Sequence, residues 1–139
     1  MTTLTTTSVN TRKLLTLAPL AGLIAAAINA VLFYIGTATG AIPANLIIPN
    51  AGQPLSIVPV IVASFMPTIV AGLLLALLNR FTKQPLRIFN IIAIIVFVLA
   101  FFSPFSIPGA PVGMIVILEL MHVVVTGVVL VAFNQYGNR

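Results

Sequence analysis

The chain has 139 residues, of which 60% are apolar and only 5% charged: six Lys or Arg, one acidic residue and one His. A water-soluble domain carries about 25% charged residues, so too few ionisable groups exist here to solvate a surface, and both an ordinary soluble domain and a disordered tail are excluded. The formal charge of +5 is too dilute for a nucleic-acid face, so no nucleic-acid partner is expected; the placement of the cations reads as membrane topology instead.

In chain order, residues 1–13 form a short Thr-rich tail ending in Arg12 and Lys13. A transmembrane helix needs about 20 mainly apolar residues, and the first such stretch covers 14–36. It is too long for the apolar core of a signal peptide, so it is read as a retained span. Ala18, Gly22, Ala26 and Ala30 recur along it at four-residue intervals, a small-residue stripe of the kind that lets membrane helices approach closely.

The loop 37–56 carries no charge and is rich in Pro, Gly, Asn and aliphatic residues. Such a loop should lie on the membrane surface or pack over the outer mouth of the helices. The second span, 57–78, repeats the small-residue stripe with Ser64, Thr68, Gly72 and Ala76; the two stripes predict that spans one and two pack together. A basic connection holds Arg80, Lys83 and Arg87. The third span covers 86–103, and its segment Ile91–Leu99 has no polar residue, so it is expected to face lipid or another subunit. Ser103–Pro111 contains three prolines and should be stiff. The fourth span, 112–133, contains the single acidic residue, Glu119, and the single histidine, His122.

The expected fold is therefore an all-α integral membrane protein, one domain over residues 1–139, with four transmembrane helices in a bundle. With four spans, all six cations fall on one side of the membrane, which places both termini in the cytoplasm of a bacterial cell as a multi-pass protein of the inner membrane.

Counted from the outer ends of their spans, Asn29, Ser64 and Glu119 lie at one depth, and Thr68 and His122 lie one turn deeper. These five residues are expected to form one intramembrane polar cluster. An isolated carboxylate in hydrocarbon is costly, so Glu119 should be protonated, paired with His122 or facing water. Such a cluster either performs a function or fixes the register of the helices.

Glu119 and His122 match the Glu-x-x-His spacing of di-iron bundles, but that site needs further carboxylates, and the chain has no second acidic residue. Without Asp and without Cys, a catalytic triad and a thiolate metal site are excluded as well. No metal, no cofactor and no enzymatic activity are expected.

Several features together resemble a family of uncharacterised bacterial four-span proteins of similar length. They are the Pro-rich outer loop, Pro54-Leu55-Ser56 entering span two, Ser64 and Pro67 within it, the short basic connection, and Ser103-Pro104 ending span three. The resemblance covers most of the chain and implies a fold but no activity. The function expected from the residues is that of an accessory or interaction subunit, embedded in the lipid bilayer as a homo-oligomer or within a larger membrane complex. The alternative is a small oligomeric transporter or proton-coupled channel that uses Glu119 and His122 as its relay.

Overall fold

The structure is a computed structural model that describes residues 9–137. Its elements are α1 (Thr11–Ala38), a two-residue hairpin of β1 (Ile47–Ile48) and β2 (Gln53–Pro54), α2 (Ile57–Phe81), α3 (Pro85–Phe101) and α4 (Val112–Val131). A 3-10 turn at Pro104–Ser106 precedes α4, and a π turn at Ala132–Tyr136 continues it. Four helices are long and apolar enough to cross a membrane, with mean hydropathies of 2.0 to 2.6. The chain is an all-α, multi-pass membrane protein.

The first helix begins at Thr11, three residues before the apolar stretch, because Asn10 caps it. The Asn10 side chain accepts hydrogen bonds from the backbone N–H groups of Arg12 and Lys13 at 3.1 and 3.2 Å, satisfying donors that every helix start leaves over. The tail is correspondingly shorter than the sequence suggests; residues 1–8 lie outside the described residues, but Val9 is buried. Asn79, near the end of α2, grips the Val9 backbone at both ends. It accepts from Val9 N–H at 3.1 Å and donates to the Val9 carbonyl at 2.9 Å.

Helices α1 and α2 meet along the small-residue stripes. A Cβ added to Gly72 would lie 2.6 Å from the Ala18 Cβ, and one added to Gly22 would lie 2.5 Å from Thr68 Oγ1. Neither position has room for a side chain, so the two backbones approach as closely as glycine permits. Ala26 is buried on the same stripe.

Helix α3 is held differently. Its only buried residues are Pro85, Leu86 and Phe89 at its start. The Phe89 ring packs against Phe133 with centroids 5.5 Å apart. One residue on, Asn90 and Asn134 exchange two side-chain hydrogen bonds of 2.9 Å. Beyond that point no residue of α3 is fully buried: only 11% of the α3 span is buried inside the molecule, against 39% for α1.

The uncharged loop packs over the end of the molecule opposite the cations. Ile42 is buried and fills the space beside Gly36, while Leu46, Ile48 and Leu55 join Phe33, Val60, Met114 and Met121 in one apolar cluster. The hairpin pairs Ile47 with Pro54 and Ile48 with Gln53, and Gly52 turns it with a positive φ of 63°, which glycine adopts without strain.

Candidate functional site: a cleft with one polar edge

A cleft of about 900 Å³ lies between α3, α2 and α4. Leu118, His122, Val125, Thr126 and Val129 of α4 line it, at the spacing that defines one helical face. Across from them stand Phe89, Ala93, Val96, Phe97 and Ala100 of α3. The remaining wall is apolar α2 surface around Pro67. Polar side chains on the lining are Asn29, Ser64, His122 and Thr126.

Asn29 and Ser64 form a fixed junction of three helices. The Asn29 Nδ2 donates to Ser64 Oγ at 2.8 Å and to the Met121 carbonyl at 3.2 Å. Ser64 spends its own proton on the Val60 carbonyl at 2.7 Å, so its oxygen can accept. Both neighbours of Asn29 therefore require a donor, which fixes the orientation of the amide. The remaining Asn29 Oδ1 is sealed from solvent without a hydrogen-bond partner among the described residues.

Thr68 lies outside this junction. Its hydroxyl reaches the Phe65 carbonyl at 2.7 Å and the Ala18 carbonyl at 3.1 Å, tying α2 to α1 within the small-residue seam. His122 faces the cleft and turns Nδ1 to the Leu118 carbonyl at 2.8 Å. A carbonyl only accepts, so Nδ1 carries the proton, and in the neutral ring Nε2 presents a lone pair.

Glu119 belongs to neither group. It is buried, and neither carboxyl oxygen has a hydrogen-bond partner among the described residues. It lies three residues before His122 and seven before Thr126, so at 3.6 residues per turn it shares their side of α4, although it does not itself line the cleft. The five residues expected in one cluster are thus bonded separately: Asn29 with Ser64, Thr68 in the α1–α2 seam, His122 to its own backbone on the cleft, and Glu119, one turn from His122 on the same side of α4, to none of them. A common depth brings residues to one level; only a common azimuth brings them together. Glu119 and His122, three residues apart, are not hydrogen-bonded to each other, because His122 engages its own backbone instead.

Four asparagines at the basic end escaped the sequence reading: Asn10, Asn79, Asn90 and Asn134. Polar residues near a span's end read as solvated, and only the amide's ability to donate and accept at once hints at pairing. Thr126, by contrast, follows from the sequence, where Glu119 and His122, three apart, share a helical face that Thr126 continues.

No curated protein and no solved structure matches the chain. Residues 9–139 match one family throughout, and the chain belongs to it: the family of unknown function DUF6069.

Proposed function

We propose that this protein is a non-catalytic interaction subunit of a membrane assembly, resident in a bacterial inner membrane with both ends in the cytoplasm. The observation that carries this reading is the state of α3. Ile91, Ile95, Val98 and Phe102 form one stripe at helical spacing, and all are exposed, from 47% at Val98 to 64% at Phe102. In lipid, helix association rests on packing and interhelical hydrogen bonds rather than on a hydrophobic drive. A span rooted at one end has little of either, and a neighbouring span against its outer face supplies the packing it lacks. The cytoplasmic placement rests on the cations gathered at one end of the helices.

The proton-coupled alternative needs Glu119 and His122 in one relay, and the absence of a hydrogen bond between them gives it no support. Native mass spectrometry of gently solubilised membranes tests the proposal. A stoichiometric complex, with further copies or with other polypeptides, is the expected result; a monomer carrying only lipid contradicts it.

A further inference from the structure

The cleft lies on the opposite face of α3 from the stripe proposed for docking, and it has a chemistry of its own. We infer that it is a binding site for a small neutral amphiphile: an elongated apolar molecule bearing one hydroxyl group, an alcohol or a phenol, with that hydroxyl on His122 Nε2. The inference does not depend on the interaction-subunit reading, since an isolated chain would bind in the same way.

Size comes first. A membrane-spanning helix about 30 Å long and 10 Å across displaces roughly 2,400 Å³, far more than the 900 Å³ of the cleft. The cleft is too small to enclose such a helix, and its volume lies within the 300–1,000 Å³ ordinary for small-ligand sites. Along α3 the lining runs from Phe89 to Ala100, roughly 16 Å at 1.5 Å per residue, so the occupant is long and narrow.

Hydrogen-bonding capacity comes second. Nδ1 of His122 is committed to Leu118, and Nε2 has no hydrogen-bond partner among the described residues, so it offers the cleft an acceptor and asks for a donor. Thr126 lies one turn away on the same face, also lines the cleft, and its hydroxyl is likewise not engaged among the described residues. Residues four apart on a helix are neighbours. One ligand hydroxyl can donate to Nε2 and accept from Thr126 Oγ1. An ether or a hydrocarbon offers no donor, and a carboxylate would bring an uncompensated charge into apolar surroundings.

Because His122 is the only histidine in the chain, ¹⁵N-histidine labelling gives the site its own NMR signal without any mutation. The test titrates labelled protein in lipid nanodiscs with dodecan-1-ol and, separately, with dodecyl methyl ether, which has a similar chain and no donor. The expected result is a saturable shift of the Nε2 resonance with the alcohol, at one molecule per chain, and none with the ether. Equal shifts with both, no shift with either, or a shift that grows without saturation overturns the inference. Thr126→Val should weaken the alcohol about two- to tenfold, as expected for one lost hydrogen bond, while Gly127→Ala, outside the cleft lining and with open space around the added Cβ, should leave its affinity unchanged. An unchanged affinity in Thr126→Val, or a loss in Gly127→Ala, likewise counts against the site as drawn.

Discussion

Glu119 poses the sharpest question at the scale of single residues. Its carboxyl is buried without a hydrogen-bond partner among the described residues, and a buried polar group left unsatisfied costs about 1–3 kcal/mol. Removing it should therefore help: Glu119→Leu is predicted to raise the stability of the detergent-solubilised monomer by about that amount, measured by reversible denaturation. A marked loss of stability instead would mean that Glu119 holds the helices together. Ser64 is the opposite case, since its oxygen accepts from Asn29 while its proton serves Val60. Ser64→Ala strips the Asn29 amide of one acceptor and should cost about 1 kcal/mol. The sequence displayed the depth of these residues, because each can be counted from the end of its own apolar stretch. It did not display their azimuths, which depend on how each helix is rotated against its neighbours.

At the scale of helices, the α1–α2 seam was legible because glycine and alanine at four-residue spacing have one clear packing use. The seam leaves no space at Gly72, so Gly72→Val should destabilise the protein by about 1–3 kcal/mol through overpacking. Gly127 has no atom within 4 Å of where its Cβ would be, and Gly127→Ala should be neutral or mildly stabilising in the same melting assay. The anchoring of α3 was not legible. Its apolar segment announces exposure to lipid, but the amide pair beneath it joins residues 44 apart in sequence. Asn134→Leu leaves Asn90 without its partner and should loosen the start of α3, seen as faster amide exchange over residues 86–93. The double variant Asn90→Leu/Asn134→Leu should recover most of that loss, since removing both partners leaves neither stranded. Full additivity of the two single losses would show that the pair is not coupled.

For the molecule as a whole, the basic end adds amide fastenings to an apolar cluster around Leu75, Phe89 and Phe133. At the basic end, Asn79 holds Val9, Asn90 holds Asn134, and the Asn10 backbone N–H donates to the Gly137 carbonyl at 3.0 Å. All four helices are thereby laced within a few residues of the cations. At the other end the fastening is apolar, with the uncharged loop folded over Phe33 and Met114. Helix α3 shares fully only in the first of these, which leaves its inner face to the cleft and its outer face to a neighbour. Composition alone made the class of protein and the number of spans plain, since hydrocarbon demands long apolar helices. The cleft could not be read in the same way, because it depends on how three helices are set against one another rather than on any residue pattern.

In the proposed assembly the outer stripe of α3 meets another membrane-spanning segment. Site-specific photo-crosslinking in native membranes tests it most directly, with a photoreactive residue placed at Ile95 on that stripe and, for comparison, at Leu20 on the exposed side of α1. A discrete protein adduct is expected from Ile95 and lipid adducts alone from Leu20. Lipid adducts alone from both positions would contradict it.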